Sequence, residues 1–255
     1  VYITYMQGKH WLGAAVFALS LALQLLVNHL QITYYTALVC GLLVCFALYQ
    51  AIKTKQFMSN FVKPSAFLIV GLILAVGANS CNLYMTYDYG KDSMRGKSEL
   101  TDTKNNKTSG LDKDYATAWS YGIAETLDLF VPNFMGGASM SKLDQNTETY
   151  KTCKKYGVSD LKNVTKSMPT YWGEQPITSG PVYIGAVVVF LFIFGLLYVE
   201  GIAKWWLAIA TLFSILLAWG HNFMPLTDIF LDYFPGYNKF RTVSMILVIA
   251  EFTMP

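Results

Sequence analysis

The chain has 255 residues, of which 54% are hydrophobic, 15% aromatic and only 14% charged, with a formal net charge of +3. An ordinary soluble domain carries about 25% Asp, Glu, Lys and Arg, so this balance argues against a water-soluble single domain. A net charge this small and this evenly mixed also argues against a nucleic-acid binder.

The few charges cluster. No Asp, Glu, Lys or Arg occurs from Trp11 to Ile52, from Pro64 to Tyr87, from Gln175 to Val199 or from Trp205 to Thr227. A helix crossing the hydrocarbon core needs about 20 apolar residues, and the charge-free runs predict a mainly α, polytopic transmembrane bundle. The first run is long enough for two spans, near 11 to 27 and 32 to 52, joined by the polar turn Asn28-His29-Leu30-Gln31. A third follows from Ser65 to Tyr84, with Pro64 at its start, where a missing N–H is tolerated. A fourth is expected from Pro181 to Val199 and a fifth from Lys204 to Trp219. A sixth opens near Val243 and is cut off, which gives five full spans plus a truncated one. The chain opens on Val1 and closes inside that last apolar run, so it reads as the middle piece of a longer protein. The resulting division is 1–84 for the first three spans, 85–180 for a polar module and 181–255 for the remainder.

Orientation follows from Lys and Arg in short connections. Lys53, Lys55 and Lys63 place the loop after the second span in the cytoplasm, and Lys9 and Lys204 agree by alternation. The His29 turn, residues 85–180 and the 220–242 connection are then extracytoplasmic. Lys239 and Arg241 run against this rule, and a cation pair at the outer interface suits an anionic lipid headgroup. The 85–180 stretch holds twelve basic and twelve acidic residues, the neutral mixture of a water-facing module. Within it, Ser141 is expected to open a helix that stops at Gly157, and Ser159-Asp160-Leu161 a shorter one ending before Pro169. The four cysteines do not form a disulfide framework; unpaired thiols are the expectation, with a bridge between Cys81 and Cys153 the rarer alternative.

The motifs of several enzyme classes are absent. There is no phosphate-binding glycine loop, His-Glu-x-x-His, Cys-x-x-Cys or Gly-x-Ser-x-Gly. The apolar runs also lack the mid-membrane charges of ion-coupled transport, Glu251 excepted. Chemistry is therefore expected at the outer interface, where five polar clusters fall. The first is the His29 turn with Thr33, Tyr34 and Tyr35, which equally suits a solvated hairpin. The second, Arg95-Gly96-Lys97-Ser98-Glu99-Leu100, suits a phosphate or sugar but also plain surface charge. The third is Gly110-Leu111-Asp112-Lys113-Asp114-Tyr115 with Trp119, Tyr121 and Glu125. Its carboxylates beside aromatic rings suit carbohydrate, while Asp112 or Asp114 equally suits a helix cap. The fourth is Tyr171-Trp172-Gly173-Glu174-Gln175-Pro176, consistent with an aromatic belt and a turn. The fifth, Pro235-Gly236-Tyr237-Asn238-Lys239-Phe240-Arg241, offers two cations that are either snorkelling anchors or a phosphate site, which His221 and Asn222 could join.

Through these five stretches, in this order, the chain resembles the central part of YfhO-family bacterial membrane proteins, particularly the long Bacteroidetes versions. The resemblance implies a glycosyltransferase of GT-C type that moves a sugar from a polyprenyl-phosphate carrier to a cell-envelope acceptor, in the bacterial cytoplasmic membrane. It places the catalytic carboxylate in an outer loop upstream of Val1. Lys239 and Arg241 then become the lipid-phosphate contact, and Asp112, Asp114, Trp119 and Glu125 the sugar or acceptor contact, with His29, Arg95, Tyr115, Trp172 and Tyr237 completing the substrate-binding set. A carboxylate would activate the acceptor hydroxyl while cations stabilise the departing phosphate. No cofactor is indicated, and a divalent metal is left open. The alternatives are a lipid or glycolipid transporter, and a non-catalytic partner in envelope assembly.

Overall fold

The computed structural model describes residues 1–96, 110–201 and 203–255. Lys97 to Leu100 of the second cluster, and the turn-rich stretch from Thr103 onward as far as residue 109, lie outside the described residues. Helix accounts for 65% of the structure, with no strand among the described residues. After a short turn, α1 (Tyr2–Tyr5), the chain forms α2 (His10–Leu26) and α3 (Leu30–Lys53) as a hairpin. Its turn places Asn28 in the left-handed region, φ +58°, which Asn tolerates better than most residues. A π-helical turn at Met58–Val62 then runs into α4 (Lys63–Ala78), and α5 (Ser80–Lys91) follows after Asn79.

The expected count of five full spans and a truncated sixth is corrected by this structure. Among the described residues two helices, Leu30–Lys53 and Met58–Ala78, are long and apolar enough to cross a membrane. A third is reached only if Lys204–Ala218 and Gly220–Tyr233, bent by 112°, form one broken span. His10–Leu26, Ala186–Tyr198 and Val243–Thr253 are apolar but shorter. The reason is local. Hydropathy counts residues, whereas a span needs uninterrupted helix, and several apolar runs are broken. After Pro181 the backbone reaches α9 (Ala186–Tyr198) only past Gly185 at φ +116°, and Gly201 at φ +108° follows it. In the last run a 3-10 turn, Val243–Leu247, precedes α12 (Val248–Thr253). The two or three candidate spans remain compatible with a membrane protein.

Close packing joins α2 to α4. A Cβ on Gly71 would lie 3.0 Å from the Ala14 carbonyl and 3.2 Å from Phe17 Cδ1, so the absent side chain lets the two backbones approach. Eight residues on, Asn79 Nδ2 donates to the Ala22 carbonyl at 3.1 Å and to the Ala75 carbonyl at 3.0 Å. α10 (Ala203–Ala218) packs on α12, where the buried Thr211 and Thr253 hydroxyls meet at 2.6 Å. The bend into α11 (Met224–Tyr233) falls at Gly220, φ +48°, where a Cβ would meet Ser120 Oγ at 2.0 Å and Val243 Cγ2 at 2.6 Å.

The polar module does not stand apart from the helices. Leu111, Ala116 and Tyr121 are buried in one cluster with Tyr35 of α3, Leu217 of α10, Phe230 of α11 and Ile246. Its regular elements are short: α6 (Lys113–Ala116), a 3-10 turn at Ala124–Leu129, α7 (Glu148–Lys155) and α8 (Leu161–Val164). The helix expected from Ser141 begins only at Glu148, capped by Thr147, because Ser141 instead pairs with Met168 in a β-bridge. Gly157 at φ +65° lies just beyond its end. All four cysteines are free.

Candidate functional site

Three of the sequence clusters meet around one cavity of about 970 Å³. Asn28 to Gln31 and Tyr34 come from the α2–α3 turn and the start of α3, Tyr87, Lys91 and Arg95 from α5 and the turn after it, and Pro235, Gly236, Lys239 and Phe240 from the loop after α11. Each wall is fixed by a polar contact. His29 Nδ1 caps α3 by accepting the Ile32 N–H at 3.4 Å, and Asn28 Nδ2 donates to Thr86 Oγ1 at 3.1 Å, tying the turn to α5. Buried Gln31 donates through Nε2 to Tyr35 Oη at 2.8 Å and to the Arg241 carbonyl at 2.6 Å, which joins α3 to the loop after α11. Tyr34 packs against the rings of Tyr237 and Phe240.

The cavity carries positive charge. Lys91 sits 4.5 Å over the Tyr87 ring and 3.2 Å from Asp88, so part of its charge is already balanced. Lys239 Nζ donates to the Arg95 carbonyl at 2.6 Å, and burial holds its ammonium below the ordinary lysine value. No carboxylate is among the described residues lining the cavity. An incoming anion would therefore meet the exposed Lys91 and Arg95 and the half-buried Lys239, with hydroxyl and amide groups beside them.

Of Lys239 and Arg241, expected as a pair, Lys239 alone lines the cavity. Arg241 is not a lining residue; its guanidinium stacks 5.0 Å over Trp119 and 5.5 Å over Tyr115, and Nη1 donates to Tyr115 Oη at 2.5 Å. Trp119 is held by Nε1–H donation to the Ile177 carbonyl at 3.1 Å. Asp112 caps α6, its Oδ1 accepting the N–H of Asp114 at 3.0 Å, while Asp114 itself is exposed. Between them Lys113 bridges to Asp228 at 2.6 Å and Asp232 at 3.2 Å, and its pKa rises mainly through the Asp228 hydrogen bond.

Glu125 is buried away from the cavity, in a network that locks the fourth cluster. Its Oε2 accepts the Gly122 N–H at 2.5 Å and its Oε1 accepts the Tyr171 O–H at 2.5 Å and Gln175 Nε2 at 3.3 Å. Burial, then this hydrogen bond, push the Tyr171 phenol above its ordinary range. Trp172 is exposed. Tyr237 is buried with an unpartnered hydroxyl, and burial raises its pKa. Nearby, His221 Nε2 lies 3.7 Å from Glu174 Oε2, which also accepts from Asn222 Nδ2 at 2.6 Å. These two residues do not line the cavity. Sequence reasoning missed Tyr87 and Lys91, whose four-residue spacing on α5 was a readable signal for one shared face. It also missed the Gln31 clamp, which had no signal, because its partners are backbone carbonyls more than 200 residues away. Among the described residues no group of three or more His, Cys, Asp or Glu is placed to hold a metal.

Comparison with family models, with curated proteins and with solved structures gave no match.

Proposed function

We propose that the chain is part of a YfhO-like, GT-C-type membrane glycosyltransferase that grips the phosphate of a polyprenyl-linked sugar in the 970 Å³ cavity. In this reading it lies in the bacterial cytoplasmic membrane, with residues 85–180 on the outer face, and passes the sugar to a cell-envelope acceptor. The observation that carries it is the cavity wall, which brings Arg95 and Lys239 together with the rings of Tyr34, Tyr87 and Phe240. Lys239 and Arg95 stabilise the negative charge that grows on the phosphate as the sugar leaves. Tyr34, Tyr87 and Phe240 supply apolar surface for the first isoprene units. Arg241 works indirectly: its carbonyl, held by Gln31, fixes the loop that carries Lys239.

Binding by the purified full chain in nanodiscs tests this, using a fluorescent polyprenyl phosphate with the uncharged polyprenol as control. The phosphate should bind more tightly, and Arg95→Ala or Lys239→Ala should each weaken it about tenfold, or about 1.4 kcal/mol. Equal affinity for phosphate and polyprenol would refute the site. For the transfer step, cells carrying both substitutions should lose an envelope glycan and accumulate lipid-linked sugar. Unchanged glycans would overturn that step.

A further inference from the structure

From Tyr115 to Ser141 the only charged residues are Glu125 and Asp128. Both are turned inward and are 1% exposed. Both accept hydrogen bonds inside the protein, Glu125 from Gly122, Tyr171 and Gln175, and Asp128 Oδ1 from the Met135 N–H at 3.2 Å. Between 123 and 134 Leu129 is buried, but five other large apolar residues face outward: Ile123 is 55% exposed and Phe134 46%, with Leu127, Phe130 and Val131 also on the surface. Water-facing segments have the opposite polarity, since Asp and Glu are almost never fully buried unless paired. A 3-10 turn with carboxylates inside and Ile, Leu and Phe outside is built for a surrounding that is not water.

Its position says which surrounding. The Leu129 carbonyl accepts both the Ile184 and Gly185 N–H groups at 3.0 Å, which seats the segment on the N-terminal end of α9. α9 is apolar on every side, with Phe190, Phe194 and Leu197 among its exposed residues. Its 13 residues make about 20 Å of helix against a hydrocarbon core of about 30 Å. The outward side chains of 123–134 prolong the apolar surface of α9 at the end where the helix stops short.

We infer that residues 123–134 form an interfacial wedge that dips into the lipid bilayer beside α9, so that this part of the polar module is lipid-facing. The wedge is independent of the proposed glycosyl transfer and of what the cavity binds. It is tested on the full chain, with its four native cysteines replaced and Phe134→Cys carrying a bimane fluorophore, in phosphatidylcholine vesicles with or without brominated acyl chains. Lys151→Cys on α7 is the comparison position, because its side chain is 57% exposed on a charged helix. At position 134, bromine placed about 5–10 Å below the headgroups should quench several-fold more than at 151. Aqueous iodide should show the reverse order. Iodide access at 134 equal to that at 151 overturns the inference. Shielding of 134 from both quenchers overturns it as well, because a protein partner or a second copy then covers the patch. Ile123→Cys repeats the test if the Phe134 variant does not fold.

Discussion

Glu125→Ala is the sharpest test of how the polar module is held. The substitution removes a buried carboxylate that accepts from Gly122, Tyr171 and Gln175. A hydrogen bond to a charged group contributes about 1.5–3 kcal/mol, and a buried donor left unpaired costs about 1–3 kcal/mol. Tyr171 and Gln175 are only partly buried and can recruit water, whereas the Gly122 N–H is buried and cannot. The expected loss is therefore about 3–5 kcal/mol, a hydrogen bond to a charged group plus one buried donor left unpaired. For a chain of this size that is a fall of about 6–20 °C in Tm. Thermal unfolding of the full chain in detergent, followed by near-UV circular dichroism, measures it. Tyr171→Phe should lose about 1–3 kcal/mol, since it also strips the acceptor of the Gln175 N–H. The double variant should lose less than the sum, because both changes remove the same bond. A Glu125→Ala protein within about 0.5 kcal/mol of the parent, or strict additivity, would refute the reasoning.

Gly220→Ala should be costly on two counts, left-handed backbone at about 1–2 kcal/mol and overpacking against Ser120 and Val243 at about 1–3 kcal/mol. Val243→Ala should relieve only part of the overpacking, since Ser120 Oγ would still lie 2.0 Å from the new Cβ, and unchanged unfolding in Gly220→Ala would show that the bend does not need glycine. The Lys113 latch should stabilise by about 0.2–1 kcal/mol per pair. Because its folded pKa is raised, that gain is full below the ordinary lysine value and disappears as pH rises through the raised one. Above neutral pH the Tm difference between the parent and Lys113→Met should therefore shrink only under strongly alkaline conditions; a difference that shrinks near neutrality contradicts the assignment. Lys239 is shifted the other way, so anion binding should begin to fail below the usual lysine value as pH rises. Lys239→Arg, whose charge persists, should carry binding to higher pH, and identical pH profiles would remove Lys239 from the site.

Helical character, the His29 turn and the polar stretch in the middle were legible because charge-free runs and turn residues are local signals. Span number was not. Gly185 and Gly220 interrupt charge-free sequence without changing its hydropathy, so counting apolar residues overestimates continuous helix. The cavity was half legible: the polar motifs around His29, Arg95 and Lys239 were each visible, and the fold brings them together. Arg241 was misgrouped because adjacency in sequence says nothing of which way a side chain leaves a loop; the backbone at Thr242, φ +64°, turns there. Asp112 resolved as the cap that its spacing allowed, and Glu125 as a buried tie rather than a sugar contact, since burial of a carboxylate depends on donors supplied from Tyr171 and Gln175 far along the chain.

Asn79 gives the α2–α4 pair an indexing pin. Ala14 with Gly71 and Ala22 with Asn79 share one sequence offset, 57 residues, so the two helices run parallel in a single alignment over this length. Sliding one past the other by a helical turn, about 5.4 Å, would break the amide's bond to the Ala22 carbonyl and put a larger side chain where Gly71 now admits the neighbouring backbone. Two apolar cylinders could otherwise meet in many nearly equal ways. One amide and one missing side chain, two helical turns apart, leave a single setting in which both fit, and the hairpin turn that carries His29 takes its height from that setting.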